Sequence, residues 1–322
     1  MRICVFDLSN ILYRSFYANR GESSDDLLTA GLAHASGLTS MNKWFNQFKP
    51  DRIYACFDRP SWRKQYTKSE ECVSKRLYKG HRRQTMTPAE KKKYEQFIQH
   101  VAEFEDILRN YTTIHVLAGD LLEADDLMAA VVQECSSNVQ NDNELLRFDD
   151  NNLNEIIIIS SDKDLIQLLK YPNVKLIDPA SGNPRTLDEW DNDVNWFMFE
   201  KCMRGDRGDN VMSALPRVLT TRLKKAYSDE FERVNMMNES WTLATTEQEF
   251  KVGEVYNENQ LLMDLHFQPS HIKEKMKQCI IEERQRKKTF DYFHFTRFLG
   301  KYQLKRISEQ LTNFVPMLSA KG

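Results

Sequence analysis

Five short runs of apolar and β-branched residues punctuate the first 180 positions: RICVFD (2–7), RIYACFD (52–58), TTIHVL (112–117), EIIIIS (155–160) and NVKLID (173–178). Their apolar residues are consecutive rather than alternating, which is the pattern of strands buried on both faces. Between them apolar residues recur at helical spacing, over 25–48, 87–109, 123–135 and 162–170. Buried strands separated by helices predict an α/β fold, a central and mostly parallel sheet flanked by helices. From about residue 193 the strand signals stop, and helices are predicted at 193–204, 215–228, 271–285 and as a terminal pair within 289–320. PASGNPRTLDEW (179–190) reads as the connecting loop, and the polar, turn-rich SSNVQNDNELLRFDDNN (136–152) as an exposed insertion. The expected division is an α/β core over 1–190 and a smaller all-helical domain over 191–322.

Composition narrows the class. A hydrophobic content of 41% over 322 residues sustains a core and excludes a disordered chain. The six cysteines (Cys4, Cys56, Cys72, Cys135, Cys202, Cys279) lack the paired spacing of a zinc site and read as reduced structural thiols. No run approaches the roughly 18 apolar residues of a membrane span, and MRICVFD reads as a strand rather than a signal peptide. A cytoplasmic protein without a membrane partner is expected. The formal net charge is only −2, yet residues 61–93 hold eleven Lys or Arg against three Glu, a local balance of +8. Base and acid are segregated along the chain, the pattern of a protein that meets a polyanion.

In open α/β sheets ligands sit outside the carboxyl ends of the strands, and the acids fall there repeatedly. Asp7 ends the first strand and Asp58 the second. Glu123, Asp125 and Asp126 (EADD) open the helix after the third, and Asp162 and Asp164 (SSDKD) follow the fourth. A fifth group, GDRGDN, supplies Asp206 and Asp209. Singly, each acid is an ordinary helix cap or turn residue. Together they form a cleft whose carboxylates repel one another unless cations neutralise them. Hard oxygen donors without His or Cys point to Mg²⁺ or Mn²⁺, and two such ions suit phosphodiester hydrolysis.

The basic segment begins a few residues after Asp58. Arg63, Lys79 and Arg82 are candidates for offsetting the charge of a scissile phosphate. Trp62, Tyr66 and Tyr78 are candidates for stacking on unpaired bases.

Taken in order, FDLSN, then FD followed by YKGHRR, then EADD, SSDKDLIQLLKYPNV and GDRGDN resemble the flap endonuclease/5′-3′ exonuclease family, particularly its bacteriophage members. The resemblance spans nearly the whole chain, and SSDKDLIQLL with GDRGDN is its most specific part. It implies a PIN/5′ nuclease-like fold, with Asp7, Asp58, Glu123, Asp125, Asp126, Asp162, Asp164, Asp206 and Asp209 as ligands to two Mg²⁺. It further implies Lys79 and Arg82 on a helical arch over roughly 61–90, Arg63 as the basic residue after the second strand, and Tyr78 near the terminal nucleotide. Arg83 joins the nucleic-acid contacts. The implied activity is removal of RNA primers and 5′ flaps during DNA replication, including a ribonuclease H-type activity. The implied partners are DNA and RNA/DNA hybrid with a 5′ single strand, and a single-strand-binding protein; a monomer is expected. The chain departs from the family after GDRGDN: VMSALPRVLTTRLKKAY lacks the glycines of the helical hairpin that grips duplex backbone in many members. Duplex contact is then expected from Arg217, Arg222, Lys224 and Lys225. Two other readings compete. A small PIN-like ribonuclease lacks the basic insertion and the helical second half, and a non-catalytic nucleic-acid-binding scaffold is expected to have lost some of the carboxylates.

Overall fold

The computed structural model describes residues 1–19, 26–83, 86–137, 154–245 and 247–320. The chain forms two compact units, each made of segments distant in sequence.

The first unit comprises residues 1–59, 86–185 and 274–322. Its sheet has five strands: β1 (Arg2–Asp7), β2 (Arg52–Cys56), β3 (His115–Leu117), β4 (Glu155–Ile159) and β5 (Val174–Ile177). Their order is β3-β2-β1-β4-β5, and every pairing is parallel. Parallel neighbours need crossovers, and helices supply them on both faces. The Ala124–Ser137 helix lies against β1 and β2 and buries Leu127, Met128 and Val131. The opposite face is the larger core: Phe6, Ile53, Ile157 and Ile159 of the sheet, Leu38 and Trp44 of the Asp26–Phe48 helix, and Phe104 and Leu108 of the Pro88–Tyr111 helix. The Pro88–Tyr111 helix starts cleanly because Thr87 and Glu90 form a reciprocal capping box and Pro88 supplies a preset φ.

The same core contains Phe295, Phe298, Tyr302, Leu311, Met317 and Leu318. The last helices therefore complete the sheet unit, and the two units do not divide at residue 190 as the strand signals suggested. The contact is close: a Cβ on Gly31 would lie 2.7 Å from the Tyr302 carbonyl oxygen.

The second unit comprises residues 60–85 and 186–273. Its core gathers Trp196, Phe199, Met203, Met212, Leu223, Met236, Phe250 and Val255, with Tyr78, Cys202, Val211, Leu262 and Met263 alongside. Its helices include Trp62–Tyr66, Val194–Arg204, Thr220–Ser228, Glu230–Met237 and Val252–Met263, but the region is not all helical. Two four-residue strands, β6 (Ser240–Leu243) and β7 (Gln248–Lys251), pair antiparallel. Trp241 sits opposite Phe250 with ring centroids 5.2 Å apart, the cross-strand aromatic contact that holds so short a ribbon. One further expectation changes: residues 163–170 form a 3-10 rather than an α-helix. Of the expected insertion at 136–152, only the end of the Ala124–Ser137 helix falls within the described residues. Among the described residues no helix is long and apolar enough to cross a membrane.

Candidate metal centre and basic segment

Seven of the nine expected ligands stand at the carboxyl ends of neighbouring strands in the first unit. Asp7 closes β1 and caps the helix that follows at once, Leu8–Asn19: its Oδ1 accepts from the Asn10 amide at 2.9 Å. Its Oδ2 accepts from the Ser160 hydroxyl at 2.9 Å, just beyond β4. Asp58 follows β2; its amide donates to Ser9 Oγ at 2.8 Å, and its Oδ1 accepts from the Ala124 amide at 2.8 Å. That amide belongs to the first turn of the Ala124–Ser137 helix, where backbone N–H groups have no partner within the helix. Asp126 Oδ2 accepts from the Glu123 amide at 3.0 Å, and Asp125 Oδ1 from the Asp126 amide at 2.7 Å. Asp162 caps the 3-10 turn by accepting from Asp164 N at 2.9 Å, and its own amide donates to Ser160 Oγ at 3.1 Å. The ordinary reading of each acid, as a cap, and the special reading, as a cluster, describe one geometry: parallel strands feeding helices put the caps at one end of the sheet.

Asp7, Glu123 and Asp126 are buried, Asp125, Asp162 and Asp164 half-buried, and Asp58 exposed. Burial, and then the charges of Asp58 and Asp162, push the Asp7 carboxyl up to about 7 against the pull of the Asn10 amide and the Ser160 hydroxyl. Burial, with Asp7 and Asp58 beside it, also raises the Cys56 thiol well above its ordinary value, so it offers no thiolate here. Glu123, Asp125 and Asp126 present ligand atoms within 4.8 Å of one another. A donor set of carboxylate oxygens, mutually repelling and held at a helix N-terminus, fits a hard divalent cation of the Mg²⁺ type.

The remaining candidates belong to the second unit. Burial opposes the ionised form of Asp206, but Lys201 at 3.4 Å and the amides of Asp209 and Gly208 outweigh it and hold the carboxyl below its usual range. Asp209 is gripped by the basic segment itself. Its Oδ2 accepts from the Tyr78 hydroxyl at 2.6 Å and faces Lys79 Nζ at 3.6 Å, its Oδ1 pairs with Arg82, and its backbone carbonyl accepts from the Lys79 amide at 2.8 Å. Arg82 Nε also donates to the Gly208 carbonyl at 3.2 Å, and Asn210 Nδ2 to that of Leu77 at 3.0 Å. Lys79 adopts a left-handed backbone at φ 53° within this clasp. Lys79, Arg82, Tyr78 and Asp209, expected to share a site, thus meet one another, with Asp209 as the counter-ion.

The aromatic part of the segment departs from expectation. Trp62 and Tyr78 are buried, so neither presents a face to a base in this structure, and Tyr66 is half-buried. Arg63 is 1% exposed: its guanidinium lies over the Trp62 ring at 4.9 Å and the Tyr78 ring at 5.9 Å, and Nε donates to the Leu262 carbonyl at 2.7 Å. This cation serves the unit's packing rather than a surface phosphate. Over its described residues 61–83, the segment expected to form the arch is a short helix, Trp62–Tyr66, followed by turns pinned at Val73 and Ser74 by the buried Glu258 carboxylate and at Gly80–Arg83 by the clasp. The Arg83 side chain lies outside the described part. Arg217, Arg222, Lys224 and Lys225 are exposed, three of them on the Thr220–Ser228 helix and paired to Glu239, Asp191 and Glu232 respectively.

Sequence reading missed Ser9, Asn10 and Ser160, the polar groups that orient Asp7 and Asp58. The signal lay in the letters beside the acids, FDLSN and SSDKD, where each strand turns into its helix.

Fold and site together define a class: a parallel α/β protein with a carboxylate cluster at the carboxyl end of its sheet, suited to divalent cations. The sequence pattern described as the 5′-3′ exonuclease, N-terminal resolvase-like domain, matches residues 2–194, and the chain belongs to that family. It is 29% identical over 174 residues to the ribonuclease H of Enterobacteria phage T4, a match over 52% of this chain and 51% of that protein, so it spans about half of the relative's length. Its fold resembles that of the bacteriophage T5 flap endonuclease in a complex with DNA and metal ions, with a TM-score of 0.61 at 16% identity over 89% of this chain and 100% of that one. A T5 5′-exonuclease structure with bound zinc gives a TM-score of 0.58, also at 16% identity, over 88% and 100% of the two chains.

Proposed function

We propose that the protein is a divalent-metal-dependent 5′ nuclease, a 5′-3′ exonuclease and flap endonuclease that removes RNA primers and 5′ flaps during phage-type DNA replication. The observation that carries this reading is the convergence of Asp7, Asp58, Glu123, Asp125, Asp126, Asp162 and Asp164 at one end of the sheet, in a chain of the 5′-3′ exonuclease family. These seven carboxylates would hold Mg²⁺, two ions per site, with Mn²⁺ as a substitute. When bound, such ions activate water and stabilise the leaving oxygen of a phosphodiester.

The chain's own residues do the rest. Asn10 and Ser160 hold Asp7, and Ser9 and the Ala124 amide hold Asp58, so both carboxylates keep their direction while their charges repel. Lys79 and Arg82 would give a phosphate a cationic partner by exchanging Asp209 for it, and their charge would offset the negative charge that builds in the transition state. The exposed Arg217, Arg222, Lys224 and Lys225 offer a duplex backbone a sequence-independent grip. Asp206 and Asp209, the two further ligands that the family resemblance implies, act in this reading through their cations. The substrate class is DNA, or RNA/DNA hybrid, with a 5′ single strand; the protein acts as a monomer in the host cytoplasm, beside a single-strand-binding protein.

A gel assay of 5′-labelled flap, nicked and RNA-primed duplexes tests the reading. Short 5′ products in Mg²⁺ and none with chelator are expected. Binding to all three substrates without cleavage in any divalent ion would make the protein a scaffold.

A further inference from the structure

Glu105 and Glu283 are buried acids that no step above uses, and they stand in one line of charges inside the first unit. Glu283, 2% exposed, lies on the Ser270–Gln285 helix. Its Oε1 accepts from the Val116 amide at 2.9 Å. β3 is an edge strand, so this amide points away from the sheet, and the side chain supplies the acceptor that a further strand would have given. Lys288 at 2.5 Å and Arg286 and Arg109 at 3.4 Å neutralise the carboxylate. Arg109 then turns to Glu105, one helical turn away, with Nη2 2.9 Å from Oε1. Glu105 is 7% exposed, and both of its oxygens take Arg59 Nη2, at 2.8 and 2.6 Å.

Arg59 is where this line reaches the carboxylate cluster. It follows Asp58 directly; its Nη1 donates to the Asp58 carbonyl at 3.1 Å, and its amide to the Leu122 carbonyl at 2.9 Å. Leu122 precedes Glu123. One arginine therefore ties the loop after β2 to the loop after β3, and these loops carry Asp58, Glu123, Asp125 and Asp126. The main-chain amide of Arg59 makes the tie between the loops, and its fork, held by Glu105, fixes the Asp58 carbonyl beside that tie, so the loop after β2 keeps its place only while the fork is fixed.

We infer that Glu105, acting through Arg59, is a positioning residue for the carboxylate cluster, fixing the distance between Asp58 and the Glu123–Asp126 turn at which a divalent cation is held. The inference rests on the metal-site reading proposed above. Its test is Mn²⁺ binding to the full chain without DNA, followed by electron paramagnetic resonance of free Mn²⁺, for Glu105→Gln, Arg59→Ala, the double variant and a control, Glu103→Gln. Glu103 is on the same helix and pairs with Lys301 and Tyr302. Either single variant is expected to bind Mn²⁺ about 10–100-fold more weakly, the range seen when groups behind metal ligands are lost. The double variant is expected to be no worse than the singles, because both act through one contact, and Glu103→Gln is expected to match wild type. Thermal melts report whether each variant is folded; should Glu105→Gln fail to fold, Arg59→Ala, at a partly exposed position, carries the test. Wild-type affinity in Glu105→Gln or Arg59→Ala, losses that multiply in the double variant, or an equal loss in Glu103→Gln would each overturn the inference. If the wild-type chain takes up no Mn²⁺, the metal reading itself fails, an outcome distinct from equal binding by wild type and variant.

Discussion

The acids at the end of the sheet and the acids of the GDRGDN loop are the same residue types in opposite electrostatic settings. Asp7 is oriented by an amide and a hydroxyl and pushed up by burial and by its neighbours' charges. Asp206 is held down by Lys201 and two amides against its burial, and Asp209 is met by Lys79, Arg82 and Tyr78. Dipoles fix a carboxylate's direction without cancelling its charge, whereas cations cancel it. The first arrangement costs stability and suits a site that a divalent ion completes; the second stabilises a loop.

Removing one charge from each group breaks the comparison most directly. Asp7→Asn keeps the shape and is expected to lower cleavage on the order of 10³-fold, since a ligand acts on the transition state, while the melting temperature holds or rises as repulsion is relieved. Asp209→Asn is expected to lower the melting temperature by roughly 1–2 °C, as for a loss of about 1 kcal/mol in a protein of this size, and to leave Mn²⁺ affinity within about twofold. A loss of Mn²⁺ binding in Asp209→Asn comparable with that of Asp7→Asn would make the loop acids ligands as well.

The cation side of the clasp gives the next largest effect. Lys79→Ala is expected to slow single-turnover cleavage about 10²-fold with little change in DNA affinity, as for a donor aimed at developing charge. Equal losses in rate and affinity would reduce Lys79 to a docking contact.

Burial without any charge supplies a reference for both groups. His34 is enclosed by Phe104, Phe298 and Tyr302, and its Nε2 lies 3.0 Å from the His100 carbonyl. Burial, with His100 and Lys301 nearby, lowers it from 6.5 to about 3, against the His100 carbonyl and Glu103. Below pH 6.5 the unfolded chain takes up a proton that the folded chain refuses until about pH 3, so stability present at neutral pH is lost as pH falls through that window. His115, also lowered to about 3, adds to the loss. His34→Phe is expected to flatten the fall in stability by up to about 1.4 kcal/mol per pH unit below 6.5, checked by urea melts at several pH values. An unchanged slope would mean that His34 is protonated in the fold.

The smallest effect belongs to the exposed cations. Arg222→Ala and Lys225→Ala are each expected to weaken duplex binding severalfold and to lower the salt slope by about one, with cleavage at saturation intact. An unaltered salt slope would leave these residues to their pairs with Glu239 and Glu232.

Much of the sheet was legible because parallel strands buried on both faces cannot hide their apolar runs, and the acids at their ends follow from that topology. The basic segment was less so. Trp62, Arg63 and Tyr78 look like a surface motif until Leu262, 199 residues beyond Arg63, supplies the carbonyl that takes the guanidinium. β6 and β7 are too short and too polar for periodicity, and only the Trp241–Phe250 pairing reveals them. Glu105 reads as one more solvated acid on an amphipathic helix, and its burial appears only when Arg59 and Arg109 converge on it. Local pattern states that a face is covered; it does not state by what.

The closing helices have a consequence for synthesis on the ribosome. β1 is the middle strand of its sheet, yet the core against it is finished by Leu311, Met317 and Leu318, and the Leu318 carbonyl accepts from the amide of Thr113 at 2.9 Å. The nascent chain must carry an apolar, incompletely covered sheet until residues 311–318 have left the exit tunnel, the interval in which chaperone capture or aggregation competes with folding.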